Sequence, residues 1–274
     1  MRISVIIPAA GSSTRYNQAN ADPFAPLDIL GPRSKLDEDL GGKCVLQRTV
    51  ELFNTRDDVY QIIVAGPHDA DAFQSFKDQH ADRLSLLGAK IVQGGKDHRW
   101  QSVQAAIEAI DDQCTHIAIH DAARPATKPE LIDLVFDTAK SHPAVIPGTP
   151  ISDTLKRVDP DSIKDAGDVD QVAAILGAES KASMHKVAST IDRAHAMAIQ
   201  TPQIFERDLL IRAYAQDDLS STDDAGLIER LGEQVIVVAG DPTNMKLTHA
   251  NELPLLRAIM GLKKSASRPN NKRF

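Results

Sequence analysis

Cysteine is nearly absent from this 274-residue chain, and so are the features that would place it in a membrane or on a nucleic acid. Cys44 and Cys114 are far apart, each without a second cysteine nearby. That spacing excludes a zinc knuckle or a paired redox motif, and both read as buried or half-buried thiols. No stretch reaches the ~20 apolar residues a membrane-spanning helix needs. Met1-Arg2-Ile3-Ser4 runs into a strand pattern without the plan of a signal peptide, so a cytoplasmic protein is expected. Basic charge is not in excess either: the formal net charge of −7 argues against general nucleic-acid binding. No G-x-G-x-x-G fingerprint occurs. Gly42-Lys43 is followed by Cys44 in place of Ser or Thr and lacks the upstream glycine, which excludes a P-loop.

What is present is an ordinary globular composition, 42% hydrophobic and 25% charged, in a chain long enough for one large α/β domain or two small ones. Its informative stretch is the first. Ile3-Ser4-Val5-Ile6-Ile7 is short, β-branched and nearly unbroken, the pattern of a strand buried on both faces. It stops at Pro8 and continues as Ala9-Ala10-Gly11-Ser12-Ser13-Thr14-Arg15. Small residues let backbone N–H groups approach a phosphate closely, the hydroxyls add donors, and Arg15 adds a planar fork of N–H groups. The same residues also read as a plain strand exit with one exposed arginine, and on their own they do not separate the two.

Three further strand–helix alternations follow. Tyr16 to Gly42 has no sustained period and is expected to be a long loop or lid. Lys43 to Thr55 has helical spacing. Strands are expected at 61–65, 90–93 and 116–120, with helices at 69–80, 98–110 and 129–140. Strands alternating with helices of this length predict a mostly parallel sheet covered on both faces, whose ligands lie at the carboxyl ends of its strands. Three ends would then converge: Gly11 to Arg15; Gly94, Gly95, Arg99 and Ser102; and Asp121 with Arg124. Together they offer phosphate donors and one carboxylate suited to a hydrated Mg²⁺ or a ribose hydroxyl. His120 reads as a strand-end histidine packed beside this site.

From Ala144 the rhythm changes. Two strand-like segments, 153–157 and 187–199, flank a polar stretch that is loosely helical around 172–176, which suggests an arm serving dimerisation or acting as a lid. Helices are expected over 204–215, over 222–231 with Thr222 as N-cap, and from about 250 to 260, with a strand at 234–239. The end, with Lys263, Lys264, Arg268, Lys272 and Arg273, reads as a disordered basic tail.

In order along the chain, Pro8-Ala9-Ala10-Gly11…Arg15, Gly94-Gly95…Arg99…Ser102-Val103, Asp121-Ala122-Ala123-Arg124-Pro125, Asp153-Thr154-Leu155-Lys156, Thr201-Pro202-Gln203, Thr222-Asp223-Asp224-Ala225 and Asn244-Met245-Lys246-Leu247-Thr248 resemble the successive blocks of the 2-C-methyl-D-erythritol 4-phosphate cytidylyltransferases of the non-mevalonate isoprenoid pathway. The resemblance implies a Rossmann-like, GT-A-like nucleotidyltransferase sheet in one domain over 1–262. It also implies a homodimerisation arm at about 151–200, CTP as co-substrate and Mg²⁺ as cofactor. Carried over by block, it makes Arg15 and Lys35 the cations on the CTP phosphates. Lys35 is preferred to Lys43 because Lys35 opens the segment ending Leu40-Gly41-Gly42-Lys43-Cys44-Val45-Leu46. The nucleotide would be held by Pro8, Ala9, Ala10, Gly11, Gly94, Gly95, Ser102, Asp121 and Ala122, with Asp121 also on the metal. Thr154, Arg193, Thr201 and Lys246 would surround the sugar phosphate, Arg193 and Lys246 with a catalytic role. Asp37, Glu38 and Asp39 stand where the family is apolar and could hold Lys35 away.

The implied reaction is attack of a polyol phosphate oxygen on the α-phosphorus of CTP, with pyrophosphate leaving. It needs alignment and fixed positive charge rather than a general base, since the attacking phosphate is already ionised. A different acceptor, such as ribitol 5-phosphate, and a catalytically silent nucleotide-binding protein are the other readings.

Overall fold

The computed structural model describes residues 1–11, 13–18, 34–163 and 184–262, without the side chains of Arg15, Gln18 and residues 160–163. The first strand, β1 (Ile3–Pro8), lies inside a mainly parallel sheet. It pairs in parallel with β2 (Val59–Gly66) on one side and β4 (His116–Ile119) on the other, and β2 continues in parallel to β3 (Ala89–Gln93). Side chains alternate across a strand. Accordingly Ile3, Val5 and Ile7 join one core cluster and Ile6 the other, so the sheet is buried on both faces.

The first face is covered by α2 (Val45–Glu51), α5 (Pro129–Thr138) and α8 (Leu253–Ile259), which contribute Val45, Leu46, Val50, Leu131, Ile132, Val135, Phe136 and Leu256. The second is covered by α4 (Arg99–Ile107), α6 (Arg207–Tyr214) and α7 (Ala225–Arg230), through Val103, Ala106, Leu209, Leu210, Leu227 and Ile228. Helix α3 (Ala70–Leu86) is capped by Asp69, which accepts the Ala72 N–H at 2.9 Å. Near the start of the chain, α1 (Thr14–Gln18) follows the β1 exit. Of the stretch expected to be a long loop or lid, the part from Ser34 to Gly42 is packed, because Leu36 and Leu40 insert into the core around a 3-10 turn at Lys35–Asp37.

The other half of the sheet departs from the sequence-based reading. The expected helix over 204–215 begins only at Arg207, and Gln203–Glu206 forms β9, antiparallel to both β4 and β5 (Ala144–Pro150). Ile204 and Phe205 are fully buried on opposite faces of the sheet, and this slot between two strands overrides a sequence that local propensity reads as helix. Strand β10 (Ile236–Ala239) stands beyond β5 and parallel to it. The N-cap position of α7 is Asp224 rather than Thr222, without a side-chain capping bond, and the Gly226 N–H donates to Asp223 Oδ1 at 3.1 Å.

The segment 151–200 leaves and rejoins this edge. Strands β6 (Leu155–Ile163) and β7 (Met184–Ile191) pair with each other, antiparallel, as a separate two-stranded sheet. The chain returns through a turn containing His195, with φ of 67°, into β8 (Met197–Ile199), which pairs with β5. The expected single strand over 187–199 is therefore two strands joined by a turn. The helical reading around 172–176 and the basic tail lie outside the described residues.

Candidate active site

A cleft of about 410 Å³ opens where the carboxyl ends of β1 and β4 meet. Pro8, Ala9, Ala10 and Gly11 line it from the β1 exit, and Asp121 and Ala122 from the β4 exit. Gly95 and Ser102 enter from the β3 side, Lys35 from its 3-10 turn, and Lys246 from the segment before α8. Most of the residues singled out in the sequence thus share one cavity.

The two glycines are required by close approach. Gly94 donates to the Gly66 carbonyl at 2.9 Å, and a Cβ there would run into that same oxygen. A Cβ on Gly95 would overlap the side chain of Gln101. Gly95 N–H donates to Ser102 Oγ at 3.1 Å, so the buried serine fixes the turn from beneath.

Asp121 is the electrostatic centre of the floor. Its carboxylate meets Lys246 Nζ at 3.0 Å, Arg124 Nε at 3.1 Å and Arg99 Nε at 3.7 Å. Burial would raise its pKa, but Lys246, Arg99 and Arg124 more than offset this and hold the carboxyl well below its usual range. Arg99 and Arg124, read from sequence as phosphate donors, are therefore largely engaged within the protein. Arg124 Nη1 donates to the Asn244 carbonyl at 2.6 Å, and Arg99 Nη1 pairs with Asp224 at 2.6 Å. Asp224, 1% exposed, also accepts the Tyr214 hydroxyl at 2.6 Å. This buried network escapes sequence reasoning because Arg99 and Asp224 are 125 residues apart. The Thr222-Asp223-Asp224-Ala225 block marked the position without giving it a task.

Three segments are sewn together at this floor. Asn244 is fully buried, accepting from Thr127 Oγ1 at 2.8 Å and donating to the Thr201 carbonyl at 2.9 Å. Leu247 N–H donates to the Ala123 carbonyl at 2.9 Å. Lys246 is thereby set against Asp121, and the Leu247 carbonyl accepts from Lys35 Nζ at 2.9 Å. Thr201 is buried; its hydroxyl accepts the Asp121 N–H at 3.0 Å and lies 3.2 Å from His120 Nδ1. It holds Asp121 from behind rather than lining the cavity. His120 is fully buried against Phe53, and burial pushes its pKa down to about 4.

The residue pattern, the sheet and the cleft can now be set beside known proteins. The chain matches the profile of 2-C-methyl-D-erythritol 4-phosphate cytidylyltransferase over residues 3–182 and 176–262. It belongs to this cytidylyltransferase family. It is 36% identical over 261 residues to the 2-C-methyl-D-erythritol 4-phosphate cytidylyltransferase of Frankia casuarinae, covering 94% of this chain and 81% of that protein. The enzyme of the same name from Symbiobacterium thermophilum is 34% identical, with 94% and 92% covered. The crystal structure of 2-C-methyl-D-erythritol 4-phosphate cytidylyltransferase from Thermus thermophilus superposes with a TM-score of 0.66 at 28% identity, covering 96% of this chain and all of that one.

Two of the acids after Lys35 turn elsewhere. Asp37 pairs with His80 at 3.0 Å, and Asp39 accepts the Gly42 N–H at 2.8 Å. Lys43 forms an ion pair with Glu51 at 2.7 Å and does not line the cavity. The backbone of Arg15 lies in the first turn of α1, and its side chain falls outside the described residues. Thr154 and Arg193 are exposed on the arm, away from the cleft of their own chain; Arg193 Nη1 donates to the Ile151 carbonyl at 3.3 Å. Among the described residues no three His, Cys, Asp or Glu side chains cluster as a metal site. Sequence reasoning missed Lys96, Asp97, His98 and Thr248, which also line the cavity.

Proposed function

We propose that this chain transfers the cytidylyl group of CTP to the phosphate of 2-C-methyl-D-erythritol 4-phosphate, releasing pyrophosphate. One observation carries the reading: the small-residue exit of β1, Lys35 and Lys246 face a single cavity floored by Asp121. The triphosphate lies along the exit of β1, where the backbone N–H groups of Ala10 and Gly11 donate to it, with Arg15 in the helical turn that follows. Lys35 supplies fixed positive charge where the α-phosphoryl oxygens and the leaving group become more negative, and Gly94, Gly95, Ser102 and Ala122 position the nucleoside. Lys246, Thr154 and Arg193 serve the polyol phosphate, and Thr201 holds Asp121 in place from behind.

A hydrated Mg²⁺ is usually held by one or two carboxylates and the substrate's own phosphates, and Asp121 offers one carboxylate at the cleft floor. The donor set would fit an ion carried mainly by the nucleotide, with Asp121 as the carboxylate that would hold it. When bound, such an ion neutralises phosphate charge.

The arm is read as the contact of a homodimer, supported by its exposed apolar residues: Val187 is 60% exposed and Val158 45%. Residues 1–262 would act as one domain, and a nucleoside triphosphate substrate supports a cytoplasmic site of action.

The test is CTP-dependent pyrophosphate release across a panel of polyol phosphates that includes ribitol 5-phosphate. Release is expected with 2-C-methyl-D-erythritol 4-phosphate, and CTP should outcompete ATP and GTP. Equal use of a purine triphosphate, or no release with any acceptor, would remove the reading.

A further inference from the structure

One sequence block, Thr222-Asp223-Asp224-Ala225, has no part in the chemistry above, although it reaches the floor of the cleft through Arg99. Of its two acids, Asp223 is half-buried and already satisfied: its Oδ2 accepts from Gln203 Nε2 at 2.9 Å and its Oδ1 from the Gly226 N–H at 3.1 Å. Asp224 is the fully buried one. Its Oδ1 accepts the Tyr214 hydroxyl and its Oδ2 accepts Arg99 Nη1, each at 2.6 Å. Arg99 begins α4, and the root of its side chain is fixed by the turn before it, where Gln101 Oε1 accepts the N–H groups of Asp97 and His98.

The guanidinium of Arg99 stands between two carboxylates and divides its fork between them. An arginine beside a carboxylate commonly closes on it through two parallel bonds of about 2.7–2.9 Å. Arg99 does so with neither: Nη1 is on Asp224, and Nε stops 3.7 Å from Asp121 Oδ1, beyond hydrogen-bond reach. The other oxygen of Asp121, Oδ2, is taken by Lys246 Nζ at 3.0 Å and Arg124 Nε at 3.1 Å. Among the described residues Oδ1 accepts no hydrogen bond, and it is not sealed from the cavity that Asp121 lines.

We propose that Asp224 is a positioning residue: by holding Arg99 off Asp121, it keeps Oδ1 of Asp121 free for the nucleotide. The group received is one that needs an open carboxylate oxygen, either a hydrated cation carried on the triphosphate or a hydroxyl of the ribose. The inference rests on the reading of the cleft as the CTP site. Tyr214 completes the device, because its hydroxyl takes the second oxygen of Asp224 and leaves that carboxylate a single bond for Arg99. Without the charge of Asp224, Arg99 has Asp121 as its remaining carboxylate, closes on it, and occupies the oxygen that the nucleotide needs.

Calorimetry measures CTP binding to the intact protein, and a crystal structure of Asp224→Asn shows where Arg99 goes; neither needs turnover. Asn keeps the size of Asp224 and an acceptor for Tyr214 while removing the charge. In Asp224→Asn the Arg99 fork should close on Asp121 to about 2.8 Å, and the Kd for CTP should rise roughly tenfold, the size of one charged hydrogen bond. Adding Arg99→Gln removes the competitor as well, so the double variant should bind CTP about fivefold tighter than Asp224→Asn alone, a rescue that a merely structural role would not give. Should Asp224→Asn not fold, the double variant, which holds no unpaired buried charge, is set against Asp121→Asn and should bind CTP about fivefold tighter than it. Titrations in EDTA and in Mg²⁺ separate the two groups: a loss confined to Mg²⁺ assigns Oδ1 to the cation, and a loss in both assigns it to the ribose hydroxyl. An Arg99 that keeps its distance from Asp121, or a double variant that binds no better than its comparator, would overturn the proposal. Wild-type protein that binds no CTP would overturn the reading of the cleft, and this proposal with it.

Discussion

The cleft and the arm are built in opposite ways. In the cleft, charged groups are held by other groups of the same chain: Asp121 by Lys246, Arg124 and Arg99, Arg99 in turn by Asp224, and Lys35 by the Leu247 carbonyl. In the arm, β7 is exposed along its whole length, and among the described residues β6 and β7 pair only with each other. Fixed charge in the cleft is ready before substrate arrives, the arrangement that electrostatic catalysis of phosphoryl chemistry requires. The described part of the arm, with Thr154 and Arg193 on it, is largely exposed, and what those residues do depends on what covers them.

The largest effect that sharpens this contrast is catalytic. Lys35→Ala should lower kcat by roughly 10²–10³ with little change in the KM for CTP, the size expected for one preorganised electrostatic contact. Lys43→Ala, which removes only a pair with Glu51, should be close to neutral. Steady-state pyrophosphate release measures both, and the reverse ranking would show that Lys43 belongs to the site.

That prediction rests on a part of the site legible in the sequence. Small residues after an apolar run, two adjacent glycines, and a carboxylate at the end of a strand mark places where side-chain size or charge is locally constrained, and all but Gly94 line the cleft. The strand–helix alternation as far as α5 was legible for the same reason, since burial of both faces writes a simple pattern. Other parts depend on long-range partners and were not. β9 is a strand because β4 and β5 leave a slot for Ile204 and Phe205. The diversion of Arg99 to Asp224 requires two elements far apart in the chain. Thr201 was read as a substrate contact, yet its hydroxyl faces the backbone of Asp121.

The next effect is on stability. Asp224→Ala leaves Arg99 and Tyr214 without their buried partner and should cost about 3 kcal/mol in urea denaturation. Val187→Ser on the arm should stay within ~0.5 kcal/mol at low protein concentration and lose stability only at concentrations where a dimer forms. A cost for Val187→Ser that is independent of concentration would mean that the arm packs within its own chain.

A smaller effect depends on pH. His120 titrates at about 4 in the folded protein, because burial disfavours its charged form, and near 6.5 when unfolded. The unfolded chain therefore takes the proton first. The contribution of His120 is complete above about pH 6.5 and is lost as pH falls towards 4, about 3 kcal/mol over that window. His80 runs the other way: burial would lower its pKa, but Asp37 and Cys44 outweigh this and raise it to about 9, so its contribution is complete below about pH 6.5 and is lost as pH rises through 9. Denaturation at a series of pH values should show the acid-side slope in wild type and a flatter one in His120→Asn. An unchanged slope would place the acid sensitivity elsewhere.

The most direct test of the account asks whether a cleft needs the arm of a second copy. Arg15→Ala and Arg193→Ala proteins should each be nearly inactive alone. After subunit exchange, verified by mass spectrometry of differently tagged chains, random pairing makes about half the dimers mixed, each with one intact site under two-fold symmetry. Pyrophosphate release should recover to roughly a quarter of the wild-type rate if the sites act independently. Exchange without recovery would contradict the account, showing that Arg193 serves its own chain's cleft or takes no part in the reaction.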